Sequence, residues 1–215
     1  MTSDLIQIAR PAEKVANVAL RLNAARVAAS RRTAPFALAL MTDPRLPDIK
    51  AAIKNMPAHS EAPTAVIFRH YGEKNRESLA QDLCNFSQDR GLLFLVAGDE
   101  ELVRSISADG IHLPEWKLDE AARLRRDYPT ILISAACHSV DAVHKAEAYT
   151  DCAFLSPVFQ TQSHVGRKFL GTCQFNKICS QTEMPILALG GINEDNAQEL
   201  LNSGAAGIGG ISVFG

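Results

Sequence analysis

The sequence predicts an α/β fold, a (β/α)8 TIM barrel with an extra N-terminal helix. Three observations lead there. Short apolar runs of β type recur at Phe36–Thr42, Thr64–His70, Leu92–Ala97, Gly110–Leu113, Thr130–Ala135, Cys152–Ser156, Pro185–Gly190 and Gly207–Ser212. Amphipathic stretches of helical period lie between most of them, at Asn75–Gln88, Asp119–Arg126, Ser139–Ala148 and Glu194–Ser203. No Pro/Gly/Ser tract or low-complexity segment divides the 215 residues. Strands alternating with helices imply a parallel sheet with crossover connections. Eight strands close such a sheet into a barrel. The runs are apolar on both faces, as strands covered on both sides must be. The alternative is an open doubly wound sheet. Its glycine fingerprint is missing, because Met41-Thr42-Asp43-Pro44 follows the first strand.

Residues 1–34 are expected to form a helical extension and residues 35–215 the barrel. The extension carries Pro11, which suits a first helical turn. Over residues 11–32, Val15, Ala16, Val18, Ala19, Leu22, Ala25 and Ala29 fall at helical spacing. Arg21, Arg26, Arg31 and Arg32 are expected on the wet side of this helix or at its end. Such a face reads as solvated helix surface rather than as a nucleic-acid arm. Further along, Ser139 and Asn193 are N-cap candidates, and Gly91 and Gly204 stand where helices should stop.

Composition narrows the function. Apolar residues make up 47% and charged residues 21%, the balance of a folded domain rather than a disordered chain. The net charge of −2 does not imply a polyanion-binding surface, so no nucleic-acid partner is expected. No run of 18 apolar residues exists, so no membrane span is expected. The Arg-rich N-terminus has a superficial transit-peptide look, but Arg21 and Arg26 interrupt any signal-peptide core. A cytoplasmic location is expected. The cysteines are five (Cys84, Cys137, Cys152, Cys173 and Cys179), an odd number with no C-x-x-C. They read as reduced thiols rather than a disulfide framework. A homo-oligomer stays open.

In a (β/α)8 barrel the active groups lie at the C-terminal ends of the strands. Gly190 and Gly191 follow strand seven, and Gly209, Gly210 and Ser212 end strand eight. Glycines there let backbone N–H groups approach an anion, and phosphate commonly binds at this place in such barrels. The plainer alternative is that they ease tight turns and helix packing. Arg69, ending strand two, would clamp the phosphate or pair with a structural carboxylate. His59 and His144 are expected on the surface, and His70, His112, His138 and His164 at the barrel mouth. No pair has zinc-type spacing, so no metal site is expected from the residues alone. A mouth imidazole suits proton transfer. Neither a G-x-S-x-G elbow nor a Walker motif occurs.

Three blocks together resemble the thiamine phosphate synthase/TenI family. Ala108-Asp109-Gly110-Ile111-His112-Leu113 is similar to its fourth-strand A-D-G-V-H-L. Cys137-His138-Ser139 with Phe154-Leu155-Ser156-Pro157-Val158-Phe159-Gln160-Thr161 is similar to its H-S-x-x-E-A followed by G/S-P-V-F-x-T. Leu189-Gly190-Gly191-Ile192-Asn193, Asn196 and Gly204 to Ser212 resemble its terminal phosphate-binding segment. The resemblance runs from about residue 92 to the end and is weaker over 36–91. It implies thiamine biosynthesis on small phosphorylated thiazole or pyrimidine substrates. The synthase branch joins an aminopyrimidine pyrophosphate to a thiazole phosphate with Mg²⁺. The TenI branch isomerises a carboxylated thiazole phosphate to its aromatic tautomer without metal.

The chain departs from the synthase pattern. The family's Asn-Asp after strand three matches Ala97-Gly98, and its second metal carboxylate matches near Lys117. Its Arg-x-Lys reads Arg69-His70-Tyr71, and the lysine of its T-x-T-K loop reads His164. Asp99, Glu115 and Asp119 remain as substitutes through a loop shift. Gly98, Leu113-Pro114 and His138 look TenI-like, although synthases also carry a histidine there. The leading expectation is a TenI-type tautomerase needing no cofactor, with His138 moving the proton. Arg69, Gly190, Gly191, Gly209, Gly210 and Ser212 would hold phosphate, and Ser156, Thr161 and Ser163 would contact the substrate. The alternatives are a Mg-dependent synthase and a non-catalytic binder of thiamine-related phosphates.

Overall fold

In the computed structural model, which describes residues 10–57, 63–161 and 168–212, the apolar runs become eight strands. They are β1 (Leu38–Met41), β2 (Thr64–Phe68), β3 (Leu93–Ala97), β4 (Gly110–Leu113), β5 (Leu132–Cys137), β6 (Cys152–Leu155), β7 (Ile186–Leu189) and β8 (Gly207–Gly210). Each pairs in parallel with the next, and β8 pairs with β1, so the barrel closes in sequence order. The helices are α1 (Pro11–Ala28), α2 (Ile49–Asn55), α3 (Arg76–Gln88), α4 (Glu100–Ser105), α5 (Ala121–Asp127), α6 (Val140–Glu147) and α7 (Gly171–Cys179). Two 3-10 segments, Glu115–Glu120 and Ala197–Leu200, also lie among the described residues. None of the described helices is long and apolar enough to cross a membrane.

Alternation along each strand sorts the side chains into two cores. Inside the barrel lie Phe36, Met41, Ile67, Leu95, Phe154 and Leu187. Between sheet and helices lie Leu40, Val66, Phe68, Phe94, Ile133 and Leu155. Phe36 and Phe154 stack at 6.0 Å and fill the interior. Gly209 makes room for this: a Cβ there would stand 2.8 Å from the Phe154 ring.

Several elements depart from expectation. The helix at the N-terminus stops at Ala28, and Ala25, within it, and Ala29, just past it, are both exposed. Its buried face is Ala12, Val15, Ala16, Val18, Ala19, Leu22 and Arg26. Arg26 therefore lies inside, not on the wet side. It continues the buried stripe four residues after Leu22. Its guanidinium donates to the carbonyls of Arg32 (2.7 Å), Gly204 (2.9 Å) and Glu183 (3.0 Å). Arg31 and Arg32 likewise bond the carbonyls of Thr182 and Thr150. These arginines tie α1, which packs on β8 and β1, to the loops beneath the barrel.

The helices α2, α4 and α7 lie outside the four stretches named from the sequence, though α2 and α4 carry Asp N-caps. Asp48 accepts from the Ala51 N–H and Asp99 from the Leu102 N–H. The expected cap at Ser139 forms, accepting from Ala142 at 3.1 Å. Asn193 accepts from the N–H groups of Asp195 and Asn196, but only the 3-10 segment follows in place of a long helix. β5 begins later than expected and runs to Cys137, so His138 is the first residue past the strand. The cysteines are free, and all but Cys173 are buried. Burial pushes Cys84 up to about 11 and Cys137 and Cys179 up to about 12, so these thiols stay protonated.

Candidate active site

Of the four histidines expected at the mouth, the described structure brings one there. His70 is two residues beyond Phe68 and shares its outward face. It is buried, stacks on Phe68 at 5.2 Å and bonds Thr42 Oγ1 at 3.0 Å. His112 points into the barrel, edge-on to Phe154 at 5.5 Å, with Nδ1 3.0 Å from Ser134 Oγ. Burial, helped by the charge of Arg69, pushes its pKa down to about 3. It is a neutral core residue. Both corrections have one cause: apolar neighbours and a hydroxyl partner accommodate an uncharged imidazole. His164 lies outside the described residues, as do Ser163 and His59.

His138 is exposed at the end of β5. Its Nδ1 stands 2.8 Å from the Ser156 carbonyl oxygen and 3.2 Å from Ser156 Oγ. A carbonyl only accepts, so Nδ1 carries the proton. In the neutral ring Nε2 then holds the lone pair, and no described residue bonds it. The contact between His138 and Ser156, which no sequence pattern announced, arises because β5 and β6 are neighbours with Cys137 opposite Leu155. A groove of about 650 Å³ opens beside His138, lined by Pro114, Glu115, Trp116, Ser139 and Asp141 among others.

Arg69 faces the interior at the end of β2. Its Nη2 donates to Asp43 at 3.1 Å and its Nε to the Thr42 carbonyl at 3.1 Å. Asp43 is held down to about 2, chiefly by its hydrogen bond from Arg45, with Arg69 adding to the effect. Arg69 therefore already has a carboxylate partner, the second of the two readings its position allowed. The Asp43 partner was not foreseen, although it ends the neighbouring strand.

Gly191 has φ +70, and a Cβ there would collide with the carbonyl oxygen of Gln160. The loops after β6 and β7 are pressed together at this point, close to Thr161. The Gly191 carbonyl accepts from Asn196 Nδ2 at 2.9 Å, while its N–H donates to no described residue. Gly190 also has positive φ; Gly210 is buried at the end of β8, and Ser212 follows it two residues later.

The two positions where the synthase pattern has metal carboxylates do converge. Lys117 Nζ donates to the Gly98 carbonyl at 3.0 Å and pairs with Glu120 at 3.3 Å. An ammonium occupies the meeting point. The three substitute carboxylates are engaged elsewhere. Asp99 caps α4 and pairs with Arg76, Glu115 accepts from the His138 N–H, and Asp119 pairs with Lys145. Among the described residues no group of three His, Cys, Asp or Glu side chains could hold a metal ion. The residues present do not fit a Mg²⁺ site of the synthase kind, because a cation requires anionic oxygen donors and meets an ammonium instead.

A closed parallel barrel of eight strands, with His138, Arg69 and the glycine turns at strand C-terminal ends, defines the (β/α)8-barrel class; the groove beside His138 is not lined by Arg69 or the glycines. Residues 38–214 match the family model described as thiamine monophosphate synthase, TMP-TENI, and the chain belongs to that family of thiamine biosynthesis. A thiamine-phosphate synthase of Chlorobium luteolum is 35% identical over 137 residues, 63% of this chain and 65% of that protein. One of Pyrococcus furiosus is 29% identical over 181 residues, 82% of this chain and 85% of that protein. A solved structure of thiamine phosphate pyrophosphorylase from Pyrococcus furiosus is similar with a TM-score of 0.66 and 25% identity. It covers 81% of this chain and 85% of that one.

Proposed function

We propose that this chain acts on a phosphorylated thiazole by metal-independent proton transfer, the TenI-type tautomerisation of a thiazole carboxylate phosphate. The observation that carries this reading is the Lys117 ammonium on the Gly98 carbonyl, where the synthase pattern needs carboxylates. A tautomer shift needs one group that takes a proton at one position and returns it at another. His138 suits this, with Nδ1–H anchored on Ser156 and Nε2 available as base and then acid. The substrate gains and loses nothing overall. Ser156 and Thr161 would orient the ring, and Ser163 would add a contact. The glycines at 190, 191, 209 and 210 with Ser212 would hold the phosphate, and Arg69 would add its positive charge while staying paired with Asp43.

EDTA is expected to leave tautomerisation unchanged in a coupled spectroscopic assay. Loss of turnover with EDTA and recovery with Mg²⁺ would overturn the reading. The relatives' names favour a second reading, a synthase coupling hydroxymethylpyrimidine pyrophosphate to thiazole phosphate. Formation of thiamine phosphate from those two substrates would establish it. A third reading, a binder without activity, predicts neither reaction.

Phosphate recognition is tested separately. Thiazole phosphate is expected to bind at least tenfold more tightly than the unphosphorylated thiazole by calorimetry, since one charge-assisted hydrogen bond contributes about 1.5–3 kcal/mol. Equal affinities would remove the glycine turns from the site.

A further inference from the structure

We propose that Glu115 is a positioning residue for His138, an inference that rests on the proton-transfer reading above. β4 ends at Leu113, paired opposite Ala135, while β5 runs on to Cys137. The His138 N–H lies beyond the last residue with which β4 can pair. Glu115, two residues past β4, supplies the missing acceptor: its Oε2 takes the His138 N–H at 2.7 Å. The side chain thus continues the ladder where the backbone has stopped.

On the other side the His138 ring reaches the Ser156 carbonyl at 2.8 Å. The residue is held at its backbone by a group from the β4 side and at Nδ1 by a group from β6. This matters because His138 is exposed, so packing does not fix its rotamer. Two polar contacts set where Nε2 points. A carboxylate acceptor for a backbone N–H makes a short, strong bond. Glu115 also lines the groove, together with Trp116 and His138.

The test uses the full chain with ¹⁵N-labelled histidine, the His138 signals being assigned by their loss in H138N. Wild type is expected to show the Nδ1–H tautomer at neutral pH. E115A is expected to shift the His138 ring signals toward the mixture seen for a free imidazole. It should also lower kcat about tenfold with little change in KM, since misplacing a catalytic group by about 1 Å costs up to 10²-fold. E115Q keeps an acceptor oxygen and is expected to restore both the signals and the rate. Unchanged His138 signals in E115A would overturn the proposal. So would an E115Q variant that behaves as E115A, because charge and not position would then be at work. If E115A does not fold, E115D shortens the reach by one methylene and is read in the same way. If H138N itself retains wild-type turnover, the proton-transfer reading fails, while the ring signals still decide whether Glu115 holds His138.

Discussion

His138→Asn is expected to slow proton transfer by about 10²–10⁴-fold, the usual scale for removing a general acid–base group. The fold and phosphate binding should survive. Asparagine is polar and of similar size, and its amide can donate to the Ser156 carbonyl as Nδ1–H does at 2.8 Å. Glu115 bonds the backbone N–H, which the substitution leaves in place. What disappears is Nε2, the position able to take and return the proton. The measurement is tautomer conversion at matched ligand occupancy. A near wild-type rate would remove His138 from the mechanism. His112 could not inherit its role, because burial keeps that imidazole uncharged. Loss of binding together with rate would make His138 a structural residue.

Arg26→Ala is expected to destabilise the chain by about 3 kcal/mol. The native guanidinium is buried and satisfies the carbonyls of Arg32, Gly204 and Glu183. Each buried acceptor left without a donor costs roughly 1–3 kcal/mol, reduced wherever water enters the space. Arg26→Met keeps much of the aliphatic volume while removing the donors. A similar loss in both variants would assign the effect to the hydrogen bonds rather than to packing. Urea midpoints at unchanged slope would measure it. A shift below about 0.5 kcal/mol would mean that the three carbonyls find other partners, and that the basic end of α1 is as dispensable as a solvated face.

Arg26 also shows what a pattern of residue types leaves open. Its spacing from Val15, Ala19 and Leu22 places it on the buried stripe, but its charge argues for water. The spacing prevailed because three carbonyls, two of them from distant loops, meet at that point. Nothing local announces them. His70 and His112 illustrate the same limit. Both sit at strand positions where an enzyme barrel carries chemistry, yet one faces the helices and the other the packed interior.

By itself the sequence determined the parallel barrel, its eight strands and the Ser139 cap. It also showed His138 and Ser156-Pro157 as parts of the ordered blocks that resemble the family. Those features depend on period, apolar runs and short motifs, which are local and repeat along the chain. Tertiary structure alone decided which polar groups become partners. Closure brings Lys117 onto the Gly98 carbonyl, Asp43 onto Arg69 and Glu115 onto the His138 N–H. The members of each pair lie 19, 26 and 23 positions apart and come from the ends of neighbouring strands. Their distances follow from the stagger and length of each strand, and no local pattern of residue types encodes where a strand's ladder stops and a side chain must take over.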